Sequence, residues 1–178
     1  DLGVRDLLLV LLLLLVLVLW EVQDHRVLYT WIAGIFLTGA VRLAVFLSYR
    51  RSGNKMENAA RWERAYFLSA AAYFLCWGLG CLWILPPQSQ LHQILVMYFV
   101  IGMAGSAVSA FAAYRRIQVG AVSALILPLL PWFLTRGDSL STGIGLGALA
   151  FYLYTLNSAK ALSSTLKDKL KLTALLHQ

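Results

Sequence analysis

Arg42 is the one charge well inside an apolar stretch, the run Val27 to Tyr49. A planar guanidinium can bind two oxygens at once, and a cation in hydrocarbon is costly enough to be a functional candidate by default. Three uses are open to it: holding the carboxylate of a fatty-acid-like ligand, pairing with carbonyls freed by Pro128 or Pro131, or snorkelling toward the interface beside Tyr49. Trp77-Gly78-Leu79-Gly80 is the second unusual group, since a large ring beside two absent side chains can leave a pocket or fill one. His25 and His92 fall in or near connections on one side and are placed to act as surface hydrogen-bonders, with a metal pair as the sharper reading. No metal or cofactor site is expected. Cys76 and Cys81, five residues apart, point to different faces of one helix and read as small buried hydrophobes. No HExxH, GxSxG, P-loop or intramembrane carboxylate pair occurs, so no catalytic residue is expected within this chain.

The elements that carry these residues follow from composition. At 60% hydrophobic and 13% charged over 178 residues, the chain offers more apolar surface than a water-soluble core could absorb. A spanning helix needs about 20 predominantly apolar residues, and lipid offers no partner to a free backbone group, so such runs must be helical. Six are expected: Val4 to Trp20, Val27 to Tyr49, Tyr66 to Leu85, Leu91 to Tyr114, Ile117 to Leu134 and Leu140 to Asn157. The fold class is therefore all-α, a six-helix membrane bundle over 1–157 followed by a cytoplasmic helix over 158–178. The Leu/Val-only run Leu7 to Leu19 lacks a small-residue cleavage site and is read as a retained span.

Charge sets the orientation. Of fifteen basic residues, twelve sit in alternate connections: Arg5; Arg50, Arg51, Lys55, Arg61 and Arg64; Arg115 and Arg116; Lys160, Lys167, Lys169 and Lys171. Cytoplasmic loops carry the Lys/Arg excess, which puts both termini inside. Nucleic acid is not implied, because these charges flank spans and have no base-stacking platform. The opposite connections, Glu21 to Arg26, Pro86 to Gln90 and Thr135 to Ser139, are too short for a folded domain. Asn58 to Arg64 suits a short amphipathic entry helix at the headgroups.

Helix contacts are expected at small residues, because close backbone approach drives association in lipid. Gly102 and Ser106 in the fourth span, and Gly143 and Gly147 in the sixth, are expected to pack inside the bundle, with a dimer seam or sliding surface at Gly143 to Gly147 as the alternative. Pro128 and Pro131 each remove a backbone donor and should bend the fifth span. Past Asn157 a helical habit persists, with Leu162, Leu166 and Leu170 on one face as at the start of a two-stranded coiled coil and hence a homodimer.

Trp31 followed by Arg42, Ala60-Arg61-Trp62, Trp77-Gly78, Gly102-Met103-Ala104-Gly105, Leu127-Pro128-Leu129-Leu130-Pro131, Gly137-Asp138 and a final Leu-rich helix together resemble the six-span amino-terminal sensor regions of bacterial histidine kinases, often hybrid, and of GGDEF diguanylate cyclases. The resemblance covers nearly the whole chain and rests on order and spacing. It implies a sensor of the bacterial inner membrane whose catalytic output would lie in a continuation after Gln178. The speculative ligand set is Arg42, Trp77, Gly78, Pro128 and Pro131. The rival expectations are a non-catalytic anchor subunit of a larger complex and a small transporter.

Overall fold

The computed structural model describes residues 4–52, 58–112 and 114–176, with side chains described for 10–52, 58–112, 114–161 and 164. Every element among them is helical: α1 (Val4–Leu19), α2 (His25–Arg51), α3 (Ala59–Trp83), α4 (Gln90–Ala110), α5 (Arg115–Ile126), α6 (Leu129–Thr135) and α7 (Ser139–Leu176). Five helical stretches are long and apolar enough to cross a bilayer: α2, α3, α4, α5 with α6, and α7. At 16 residues, α1 rises only about 24 Å, short of a hydrocarbon core of about 30 Å.

The ends of the helices have local causes. Asp24 starts α2 by accepting the Arg26 N–H at 2.8 Å, and Asp138 starts α7 by accepting the Ser141 N–H at 2.9 Å. Gly137, at φ +83°, makes the turn into α7, a conformation other residues rarely adopt. After α3 the chain meets Pro86-Pro87, which cannot continue a helix.

The fifth span bends in one place rather than two. Pro128 lies at the junction between α5 and α6, whereas Pro131 is the third residue of α6. In a first turn the backbone N–H has no intrahelical acceptor to lose, so Pro131 adds no second break. Asn58 to Arg64 is likewise not a separate entry helix: from Ala59 it forms the opening turns of α3, which continues without interruption to Trp83. The fourth span stops at Ala110, and Tyr114 instead caps α5.

α3 and α5 form the centre and pack on each other. α2 packs on α3, α4 and α7 pack on α5, α6 packs on α7, and α1 leans on α4. Trp31, Trp77, Leu125, Ile126, Leu129 and Phe133 are fully buried between them.

The small residues divide differently from the expectation. Gly102, Gly143 and Gly147 face outward, and a side chain added at any of them would meet nothing within 4 Å. Ser106 spends its hydroxyl on its own helix, donating to the Gly102 carbonyl at 2.9 Å. The inward side of α4 is Met103, Ala104 and Ala107, and that of α7 is Ser141, Gly145 and Ala148. Those stripes lie next to the expected ones on the helical wheel. Both flanks mix small residues with apolar ones, and hydropathy cannot separate a lipid-facing flank from a helix-facing one.

Candidate functional site

The geometry of α2 is asymmetric. Its buried residues, Leu28, Trp31 and Ile35, all lie in its first half. There the Trp31 indole lies directly over Gly80, where a Cβ would collide with the ring, and meets Trp77 edge-on at 5.2 Å between ring centres. From Phe36 to Arg51 no residue of α2 is buried.

What holds this second half is Arg42. Its guanidinium carbon sits 5.2 Å from the Phe111 ring centre, 5.7 Å from Tyr66, 5.7 Å from Tyr73 and 5.8 Å from Phe74. Four rings from α3 and the end of α4 thus turn toward one cation, each face offering the negative side of its quadrupole. Among the described residues its hydrogen bond is long, Arg42 Nη2 donating to the Tyr66 hydroxyl at 3.5 Å. Among the described residues no carboxylate pairs with Arg42; the ion pair they contain is Arg136 with Asp138 at 3.7 Å.

Beside Arg42 a cavity of about 460 Å³ opens at the end of the bundle where Arg50, Arg51, Arg61, Arg64, Arg115 and Arg116 gather. Val45, Phe46 and Tyr49 from α2, Trp62, Glu63 and Tyr66 from α3, and Tyr114 line it. Tyr66 is the shared wall, touching both the cavity and Arg42. Tyr49 and Trp62 meet edge-on at 5.8 Å across the α2–α3 gap.

The expected ligand set does not converge on one place. Trp77 and Gly78 do meet the proline break, but as packing rather than as a pocket. Pro128 has no N–H, so the Ala124 carbonyl loses its helical donor. That carbonyl points at Gly78, where a Cβ would overlap it and lie 3.1 Å from the Leu125 Cα. Glycine is required because only a bare Cα lets the kinked backbone approach, and a Cα–H can face the freed oxygen. Among the described residues Arg42 makes its contacts elsewhere, with the rings of Tyr66, Tyr73, Phe74 and Phe111. Pro131 faces outward, and its carbonyl accepts from the Thr135 hydroxyl at 2.7 Å.

The aromatic partners of Arg42 escaped the sequence reading, since Tyr and Phe in an apolar run look like lipid-facing residues. The signal that could have found them is register: Arg42, Val45, Phe46 and Tyr49 share one face of α2, and Tyr66 and Tyr73 share one face of α3.

The opposite end is closed by polar contacts. Arg136 donates to the Pro87 carbonyl and lies 4.6 Å from the Trp132 ring centre. Gln90 Nε2 reaches Asp138 Oδ2 at 3.4 Å, and buried Gln93 donates to the Pro86 carbonyl at 2.8 Å. The Ser141 N–H, with Arg136 as a lesser contributor, holds the Asp138 carboxyl below its ordinary pKa. The two histidines are engaged locally, His25 with the Trp20 carbonyl at 3.0 Å and His92 with the Ser89 hydroxyl at 2.6 Å. Among the described residues no group of three or more His, Cys, Asp or Glu is placed to hold a metal. Buried Cys81 and half-buried Cys76 are both free thiols.

Leu162, Leu166 and Leu170 lie on α7, but their side chains fall outside the described residues.

The chain matches no family model, no curated protein and no solved structure.

Proposed function

We propose that this chain is a transmembrane sensory input module of a bacterial signalling protein, acting as a homodimer in the inner membrane with both termini cytoplasmic. The observation that carries the proposal is the length of α7. Its 38 residues rise about 57 Å, and a hydrocarbon core of about 30 Å accounts for only the first 20 or so. The remainder leaves the membrane as one uninterrupted helix, without Gly or Pro, and carries Leu162, Leu166 and Leu170 at spacings of four. Such a shaft can move a change made inside the bilayer to a cytoplasmic domain, with the Leu stripe as the seam between two copies.

Inside the bundle, α7 packs on both α5 and α6, the two arms of the Pro128 break, so a change in that bend would alter the tilt of the shaft. The stimulus comes from within the membrane or its rim, because the connections opposite the basic end are only a few residues long.

The test joins α7 in phase to a dimeric histidine kinase core as reporter. A four-residue insertion after Ser158 rotates the downstream helix by about 40° and shifts it about 6 Å, whereas seven residues nearly restore its facing. The four-residue insertion should lock or abolish output, the seven-residue one should leave it regulated, and Leu166→Cys should form a disulfide between chains. Equal tolerance of both insertions, with no such disulfide, means a passive anchor.

A further inference from the structure

We propose that the cavity at the basic end binds one anionic phospholipid, with its phosphate taken by the arginines at the helix ends and its glycerol and upper acyl chains by the cavity walls below them. The site is rich in donors and poor in acceptors. Arg42, against the Tyr66 wall, carries five N–H groups and makes one hydrogen bond among the described residues, the long one to Tyr66. Of the four rings around it, Tyr66 and Tyr73 alone carry an oxygen. The Trp62 indole N–H, on the cavity wall, is sheltered and meets no acceptor among the described residues. The one carboxylate lining the cavity, Glu63, is exposed and makes no ion pair among the described residues.

Apart from Glu63, the charge that the described residues place around the rim is positive. Arg50 and Arg51 end α2, Arg61 and Arg64 lie in the opening turns of α3, and Arg115 and Arg116 open α5. All six are exposed, and none is in an ion pair among the described residues. Guanidinium forks carried at neighbouring ends of three helices suit the oxygens of a phosphodiester. Aromatic walls beside a carboxylate would otherwise suit a quaternary ammonium, but a cation entering here must pass six arginines.

Depth and lining select a lipid over a free anion. The 27 residues of α2 rise about 40 Å, matching a bilayer of about 40–45 Å with its headgroups. Val45 to Tyr49 then lie about 3–9 Å from the basic end of α2, the level of headgroup and glycerol. Val45, Phe46, Trp62 and Ile117 give the cavity walls that a soluble phosphate does not need and acyl chains do. A lipid seated there would fill the gap between α2 and α3 where α2 has no buried residue of its own. The site does not depend on the sensory reading.

The experiment is native mass spectrometry of the whole chain, purified in mild detergent and offered phosphatidylglycerol or phosphatidylcholine with identical acyl chains. One phosphatidylglycerol per chain should be retained, with about a tenfold preference over phosphatidylcholine, as for a charge-complementary site. Arg61→Gln combined with Arg64→Gln should lower that retention about tenfold, Trp62→Phe less, and Arg26→Gln at the opposite end not at all. Equal retention of the two lipids by the wild-type chain overturns the proposal without reference to any variant's folding. Displacement of phosphatidylglycerol by millimolar inorganic phosphate would make the site one for a free anion, and displacement by equimolar oleate one for a carboxylate; either result overturns the phospholipid assignment. Because the readout is retention, its failure leaves the insertion experiment on α7 untouched, and the reverse also holds.

Discussion

The two halves of α2 are held in opposite ways. Its first half is fixed by shape: the Trp31 ring lies over Gly80, where a Cβ would not fit, and Leu28, Trp31 and Ile35 are buried. Its second half is held by a cation among rings and by edge-on aromatic contacts around an open cavity. Close packing has one solution, and displacing it costs energy steeply. Cation–ring attraction falls off gradually and has little angular demand, so the second half can shift without losing its contact. The polar closure at the opposite end adds to the contrast. The lesson is that a helix can serve as a lever when one half is packed and the other is held by a soft electrostatic contact.

The strongest way to break this contrast is to spoil the packed side. Gly78→Ala places a Cβ against the Ala124 carbonyl, in a backbone that cannot yield as a flexible side chain would. Unfolding in detergent should show a loss of about 1–3 kcal/mol, the usual cost of overpacking. A loss below about 0.5 kcal/mol, the range of uneventful surface changes, would mean that the α3–α5 contact is looser than described.

On the soft side the expected loss is smaller. Arg42→Gln removes the attraction of the rings and should cost about 0.5–2 kcal/mol, with Arg42→Lys intermediate because an ammonium keeps the charge and loses the planar fork. Equal stability of the wild type, Arg42→Lys and Arg42→Gln would reduce Arg42 to a snorkelling residue.

Asp138 sharpens the comparison through pH. Its folded pKa lies below the unfolded value, so its contribution is present in full above the ordinary carboxylate range near 4 and is lost as pH falls through the lower folded value. Asp138→Asn should therefore lower the melting temperature at pH 7, with the difference from the wild type shrinking as pH falls below the ordinary carboxylate range. A difference that persists at low pH would assign the effect to something other than charge.

The smallest effect is expected at Gly143. Nothing lies within 4 Å of an added Cβ there, so Gly143→Ala should change stability by less than about 0.5 kcal/mol in the isolated chain. A larger loss appearing only at concentrations where two chains associate would place this face in a contact between chains.

The sequence made some of this legible and hid the rest for physical reasons. Apolar run lengths marked the helices, and the charge pattern located the basic end. Arg42 stood out because a cation in hydrocarbon is expensive wherever it points, and Pro128 because it lacks a donor. The faces of the glycines were not legible: Gly78 and Gly80 are packed while Gly102, Gly143 and Gly147 are bare, yet all five sit among similar apolar neighbours. In water a buried face is apolar and an exposed one polar, but in lipid both are apolar. The ring cluster around Arg42 stayed hidden for the same reason. The separation of Arg42 from Pro128 depends on which helices are neighbours, and residue spacing alone does not encode that.

The contrast within α2 is tested most directly by fluorine NMR in nanodiscs, with a trifluoromethyl label placed singly at Ser48→Cys or Gln88→Cys in a chain whose Cys76 and Cys81 are replaced by Ala. Ser48 is an exposed residue of the second half of α2, and Gln88 an exposed residue of the closed opposite end. The account predicts one resonance at Gln88 that does not respond to lipid. It predicts two at Ser48, with populations that shift toward one when phosphatidylglycerol replaces phosphatidylcholine. A single unresponsive resonance at Ser48, as narrow as that at Gln88, would contradict it.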